Sequence, residues 1–197
     1  IEDYLEKKMD RIEKYFDAED INLFVTIKKE GGDQVAEMQI SVNGESFRAV
    51  TASSDLYASI DKDIDILINN AGFGLFGNFI DTDLSRELNM INLNIVAVHI
   101  LTKLFLIDFV NKNKGYILNV ASSAAFMAGP KLSTYYSTKN YVLKETLAIY
   151  EELRHMNSNV KISILCPGPV ETNFNNIAGG SFNTKSATSE YVAKYAI

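Results

Sequence analysis

Gly115-Tyr116-Ile117-Leu118-Asn119-Val120 runs into Ala121-Ser122-Ser123-Ala124-Ala125, and thirteen residues past Ser122 stands Tyr135-Tyr136-Ser137-Thr138-Lys139. The first run reads as an apolar strand with a serine beyond its end, and the last as part of a helix. Residues four apart share a helix face, so Tyr135 and Lys139 set an ammonium beside a phenol. A phenol alone titrates near about 10, and a neighbouring positive charge favours its ionised form. The pair is expected to donate and accept protons nearer neutral pH, which points to chemistry at a carbonyl or an alcohol. Tyr-x-x-x-Lys by itself is common on amphipathic helices, so its company has to carry the reading.

Upstream, Asp65-Ile66-Leu67-Ile68-Asn69-Asn70-Ala71-Gly72 is an apolar strand ending in two amides and a glycine. Downstream, Ile162-Ser163-Ile164-Leu165-Cys166-Pro167-Gly168-Pro169-Val170-Glu171-Thr172 is a third strand closed by a Pro-Gly turn. Leu84, Leu88, Ile91, Ile95, Val98, Leu101, Leu104 and Phe109 fall mostly three or four apart, predicting a long helix between the strands near 66 and 116. Tyr141, Leu143, Leu147, Ile149 and Leu153 extend the Tyr-Lys helix toward the strand near 160. Strands alternating with helices predict parallel crossovers. The fold class expected is α/β, a partial Rossmann-like parallel sheet with helices, preceded by a small α+β segment. Ser122 has no G-x-S-x-G elbow and no evident histidine partner, which argues against an acyl hydrolase.

In this order and spacing, the motifs across residues 64–197 resemble the short-chain dehydrogenase/reductase family. The resemblance implies an oxidoreductase passing hydride between a nicotinamide cofactor, NAD or NADP, and a small-molecule alcohol or carbonyl substrate. It implies that Tyr135 is the general acid/base and that Lys139 lowers the tyrosine's pKa and holds the nicotinamide ribose. It makes Ser122 the hydroxyl that polarises the substrate carbonyl. Asn94, twenty-four residues beyond Asn70, matches a helix asparagine that anchors a relay water, with Asn92 as a nearby rival. Asn70, Ala71 and Gly72 match the segment lining the adenosine side of the cofactor. Pro167, Gly168, Val170 and Thr172 match the loop that meets the nicotinamide amide. The two long helices imply a homo-oligomer. Asn69, Ser123 and Tyr136 read as packing or hydrogen-bonding residues.

Members of that family open with a strand, a glycine-rich turn and a helix whose amino terminus faces the pyrophosphate. No such unit is read before Ile66, so the expectation is a catalytic set without its dinucleotide cradle. Gly72, Gly74 and Gly77 form a literal G-x-G-x-x-G after a strand. The next helix is expected only near Asp83, and Phe73 and Phe76 are bulky where backbone must approach phosphate. These glycines are therefore read as shaping a loop over the active site. The stretch Ala187 to Ile197 reads as the start of a further helix, and Gly179-Gly180-Ser181 as a flexible loop.

Residues 1–63 carry another pattern. Leu5, Met9, Ile12 and Phe16 recur at helical spacing. Leu23, Val25 and Ile27 alternate as in a strand, Met38, Ile40 and Val42 mark a second, and Asn43-Gly44 signals a tight hairpin into Phe47 to Thr51. Ser53 or Ser54 is placed to cap a helix through Leu56, Tyr57 and Ile60. Helix, three antiparallel strands, helix, together with Arg11 to Phe16, Phe47-Arg48-Ala49 and Asp55 to Asp61, resemble the ribosome hibernation promoting factor family. That resemblance implies a ribosome-associated binding module. Two fragments joined near residues 61 to 66, as in a chimeric or engineered fusion, would account for both patterns.

Residues 1–65 hold 8 Lys plus Arg against 16 Asp plus Glu, a balance of 8 − 16 = −8, and the rest 11 against 9, or +2. An acidic segment is a weak RNA binder unless its cations share a face; Lys7, Arg11 and Lys14 are spaced to do so. The single Cys166 excludes an internal disulfide and reads as a strand-end packing residue. His99 and His155 are too isolated for a metal cluster, so no metal is expected. No run is read as approaching a membrane span, and no basic, apolar and cleavage-site leader is seen. The expectation is a cytoplasmic protein of one or two small domains, divided at residues 63 and 64, with no membrane partner.

Overall fold

The structure, a computed structural model, describes residues 21–30, 33–42, 45–53, 65–180 and 185–196. The expected helices over residues 5–16 and 56–60 lie outside the described residues. The chain divides into two units, residues 1–68 and 69–197.

In the first unit, β1 (Ile21–Glu30), β2 (Asp33–Val42) and β3 (Glu45–Ser53) form an antiparallel meander in that order. Glu30 stands across from Asp33 and Val42 across from Glu45, so each connection is two residues long. The register also sets Leu23 opposite Ile40, Val25 opposite Met38 and Ile40 opposite Phe47. The apolar positions of the alternating pattern are thus matched pair by pair across the strands, the unit of stabilisation in an antiparallel sheet. The three antiparallel strands expected from the sequence are present.

A second sheet has the order β4 (Ile66–Asn69), β5 (Tyr116–Val120), β6 (Lys161–Leu165). β5 and β6 run parallel, with Tyr116 beside Lys161 and Val120 beside Leu165. The connection from β4 to β5 is helical from Leu84 to Lys112. It comprises α1 (Leu84–Ile91), a wider π-helical stretch (Asn92–Ala97) and α2 (Val98–Lys112). Asp83 begins it by accepting a hydrogen bond from the Arg86 N–H at 2.9 Å, a side-chain cap at the place expected. The connection from β5 to β6 is α3 (Ser133–His155). Two short helices follow, α4 (Phe174–Ala178) and α5 (Ser189–Ala196). The last begins two residues after Ala187, which instead forms a parallel bridge with Val170.

The long helices bury one stripe each against the sheet, with Met90, Phe109, Ile117 and Val142 almost wholly enclosed. Within that core runs a polar chain. The Asn69 amide donates to Thr102 Oγ1 (3.1 Å) and Asn119 Oδ1 (2.8 Å), Asn119 Nδ2 donates to Thr146 Oγ1 (2.9 Å), and the Thr146 hydroxyl donates to Val142 O (2.7 Å). Each buried amide and hydroxyl is thereby paired, as burial requires, and β4, β5, α2 and α3 are fixed in one register. Asn69 is a hydrogen-bonding residue, as its place in the sequence suggested.

Two expectations need correction. The helix Leu84–Lys112 is long and apolar enough to cross a membrane by length and composition. Its charges stand mostly near its ends while its middle is apolar, so a search for an unbroken apolar run overlooks it. Buried Asn94 and Thr102 on its packed stripe give it the character of a core helix. Second, Gly179 and Gly180 are not a free loop. Gly179 ends α4 in the left-handed region (φ 73°), and both N–H groups donate to Asn175 O. Ser181 lies outside the described residues.

Candidate active site

Tyr135 and Lys139 project from the first turns of α3, where both are buried. The Lys139 ammonium lies 6.0 Å from the centre of the Tyr135 ring and donates to Val120 O at 3.0 Å. Ser122 follows β5 by two residues in extended backbone. Its Oγ accepts from the Ala124 N–H at 3.2 Å and makes only a long contact with Pro167 O, 3.5 Å, so the hydroxyl hydrogen can turn toward a ligand. The Ser122 hydroxyl stands close enough to the Tyr135 phenol to favour its ionised form. Ser122 is thereby brought beside Tyr135 and Lys139 where β5 ends and α3 begins.

Burial sets the electrostatics. Desolvation raises the Tyr135 phenol above its ordinary value, the hydrogen bond from Ser122 opposes the rise, and Tyr136 adds slightly to it. This corrects the expectation of a phenol already tuned toward neutrality, because removal from water penalises the phenolate more than neighbouring groups repay. The same enclosure lowers Lys139 to about 8, with the Cys166 thiol acting weakly the other way. Cys166 is itself raised by burial. It packs with Ile164 on the cluster of Val98, Ala121, Ala125, Val142 and Leu143, the packing role expected of it.

Asn94, fully buried, faces the site, whereas its rival Asn92 is exposed. Its Oδ1 accepts from the Phe73 N–H (3.1 Å), and its Nδ2 donates to Phe73 O (2.9 Å) and to Thr138 Oγ1 (3.0 Å). The side-chain amide thus binds the Phe73 peptide as a neighbouring strand would, clamping the loop after β4 against α3. The Thr138 hydroxyl donates to Tyr135 O at 2.7 Å, completing a link from that loop to the tyrosine's own backbone. Residues 72–77 contain no helix. A Cβ on Gly72 would stand 3.0 Å from Asn94 Oδ1 and 3.1 Å from Lys139 Nζ, and one on Gly74 would stand 2.7 Å from Phe174 and 3.4 Å from Tyr135. The glycines do shape a loop beside Tyr135 and Lys139.

Asn70 and Gly72 are exposed beyond β4, and Ala71 is half-buried. In the loop after β6, Gly168 has open space on its Cβ side. Ala187 N–H donates to Pro169 O and Glu171 N–H to Ala187 O, each at 2.9 Å, which fixes the strand around Val170. Thr172 Oγ1 accepts the Phe174 N–H at 3.3 Å. Ser123 N–H donates to Pro167 O at 2.8 Å, and a Cβ on Gly129 would strike the Tyr136 ring at 2.5 Å. Tyr136 therefore has the packing part expected of it. Among the described residues no group of three or more metal-ligating side chains occurs. His99 is exposed and hydrogen-bonded to Glu145 and Tyr141 across α2 and α3.

Sequence reasoning overlooked Thr138 and Phe174. Thr138 lies inside the quoted pentad and shares a helix face with Tyr135, three residues before it, a signal that was available. Gly74 and Phe174 meet only through the fold.

Comparison with known proteins adds an independent result. Residues 17–179 match the family described as short chain dehydrogenase. The NADP-dependent 3-hydroxy acid dehydrogenase of Schizosaccharomyces pombe is 38% identical over 113 residues, covering 57% of this chain and 43% of that protein. Estradiol 17-beta-dehydrogenase 11 of Macaca fascicularis is 30% identical over 158 residues, covering 75% and 53%. The chain spans about half the length of these relatives or less. A short-chain dehydrogenase from Sphingobium yanoikuyae, solved with NADPH, superposes with a TM-score of 0.62 at 26% identity, over 66% of this chain and 51% of that one.

Proposed function

The chain belongs to the short chain dehydrogenase family, and from that premise we propose that it interconverts an alcohol and a carbonyl compound with NAD or NADP, Tyr135 handling the proton. The single observation that carries this reading is the convergence of half-buried Ser122 with buried Tyr135 and Lys139. The donor set suits a nicotinamide nucleotide. Lys139 has further N–H bonds beyond the one given to Val120 O, Tyr135 and Ser122 supply hydroxyls, and the space beside Gly168 is open. We assign Asn70, Ala71 and Gly72 to the adenosine side, Tyr135 and Lys139 to the ribose, and Pro167, Gly168, Val170 and Thr172 to the amide. When bound, the cofactor supplies or accepts the hydride.

In the reducing direction the substrate oxygen is held by Ser122 Oγ while the Tyr135 phenol donates its proton. A phenol raised by burial is protonated at neutral pH, the form the step requires. The charged Lys139 then stabilises the phenolate, and we assign Asn94 the position that anchors a relay water. In the oxidising direction the phenolate accepts the alcohol proton. Because Lys139 titrates near about 8, its charge is present below that pH and lost above it. Reduction is therefore expected to slow as pH rises through about 8, and Lys139→Arg, if it retains turnover, should remove that limb of the pH profile.

The direct test is to incubate the purified chain with NADPH or NADH and a panel of ketones, following cofactor absorbance. Tyr135→Phe should lower the rate by roughly 10²–10⁴-fold with an unchanged circular dichroism spectrum. Undiminished activity would refute the role of the phenol.

A second reading attaches to residues 1–63, where the β1–β2–β3 meander fits a ribosome-associated module fused to an enzyme segment that has lost turnover. The family match, which starts at residue 17 and runs across the meander, weighs toward the first reading. Co-sedimentation with ribosomes at graded salt separates them, since absence of pelleting at every salt level rejects the second. We place the protein in the cytoplasm as a homo-oligomer, which fractionation and light scattering test.

A further inference from the structure

Tyr135 is flanked by an aromatic wall that the catalytic assignment leaves unused. The Phe174 ring lies 5.2 Å from the Tyr135 ring, centre to centre, at 54°. Phe174 opens α4, and α4 is tied to neighbouring segments beyond that residue. Phe76 N–H donates to Ala178 O at 2.8 Å, and Arg86 Nη2 donates to Ile177 O at 3.2 Å. The Phe76 ring in turn fills the space where a side chain on Gly180 would stand, 2.8 Å from the Cβ position. With its far end so anchored, α4 lowers Phe174 into the recess left by Gly74, whose Cβ would come 2.7 Å from Phe174 Cζ. The recess exists because residue 74 has no side chain, and it places the phenyl ring against the proton donor.

We propose that Phe174, seated in the Gly74 recess, is the specificity-determining wall of the substrate site and selects carbonyls and alcohols that carry an apolar, preferably aryl, substituent. The proposal rests on the oxidoreductase reading and deepens it. A carbonyl oxygen within hydrogen-bond reach of the Tyr135 phenol brings its substituents alongside whatever flanks that ring. An aryl group gains tilted ring contact with Phe174. A hydroxylated or charged substituent is desolvated there without a partner from the phenyl face. Gly74 acts as a positioning residue, since any side chain there displaces Phe174 from its seat.

The chain has no tryptophan, so Phe174→Trp gives a single indole reporter beside Tyr135. In the full chain carrying this change, acetophenone is expected to quench the indole saturably, and hydroxyacetone to leave it unchanged. Adding Gly74→Val should raise acrylamide quenching of the indole several-fold and abolish the saturable response. Equal responses to the two ketones, or indifference to Gly74→Val, would overturn the proposal. These readouts need no turnover and so stand apart from the parent reading. If no ketone is reduced yet the indole discriminates, the oxidoreductase reading fails and the wall survives. Where reduction does occur, Phe174→Ala should lower kcat/KM for acetophenone at least tenfold and for hydroxyacetone less than twofold, with Phe174→Leu intermediate. An equal loss on both ketones in folded Phe174→Ala would assign the residue to structure alone and sink the proposal while leaving the oxidoreductase intact.

Discussion

Lys139 holds a position that the proposed chemistry and stability value differently. Its pKa falls from 10.5 to about 8 on burial, so the folded chain binds that proton less tightly than the unfolded chain does. For a basic group lowered in this way, stability is least below about pH 8 and recovers as pH rises toward about 10.5. The shift corresponds to roughly 3 kcal/mol. Lys139→Met should therefore stabilise the cofactor-free chain at pH 7, by about 1–2 kcal/mol once the lost hydrogen bond to Val120 is set against it. The difference should shrink as pH rises from about 8 and change sign above about pH 10.5, where the unfolded lysine also loses its charge and only the lost hydrogen bond remains; melts across pH 7 to 11 check this, and a destabilised methionine variant at pH 7 would refute it. Sequence spacing disclosed that Tyr135 and Lys139 share a face, and the motif order picked out Ser122 and Asn94. It could not disclose the sign of the phenol's shift, because enclosure depends on Phe174 and the loop at Gly74, which only the fold brings to the tyrosine.

Among the elements, the three strands of residues 65–165 were legible as apolar runs and the long helices by their spacing of three or four, whereas the five-residue α4 is too short to show a period. Less visible was what fixes them against one another. The chain of Asn69, Thr102, Asn119 and Thr146 consists of polar residues inside apolar runs, a pattern that periodicity counts as noise. Asn119→Ala should leave Asn69 Nδ2 and Thr146 short of partners and cost about 2–4 kcal/mol in urea unfolding; a cost below about 1 kcal/mol would show the network to be dispensable. At the end of α2, Gly115 has φ 149°, and a Cβ there would meet the buried Phe109 ring at 2.3 Å. Gly115→Ala combines unfavourable backbone with overpacking, so a loss of about 2–4 kcal/mol is expected on the same measurement.

For the molecule as a whole, protection should follow enclosure. Amides of β5 and the middle of α3, covered by the buried network, are expected to exchange slowest with deuterium, and α5, which has no buried residue, among the fastest. Uniform exchange across these segments would contradict the arrangement. The tether between α4 and the loop after β4 joins segments too distant for any local pattern to reveal. The π-helical stretch Asn92–Ala97 has a genetic consequence. A π turn holds one residue more than an α turn, so losing a single codon there offers the helix a regular path that leaves its length almost unchanged. Because the surplus residue is what the wide turn absorbs, the preceding residues would keep nearly the same bearing relative to α2, and Met90 would stay on its buried side. Such a deletion, almost silent in helix content and in the packing on either side, would fall on the turn that carries Asn94, so the clamp on the loop after β4 would go while the fold still stood.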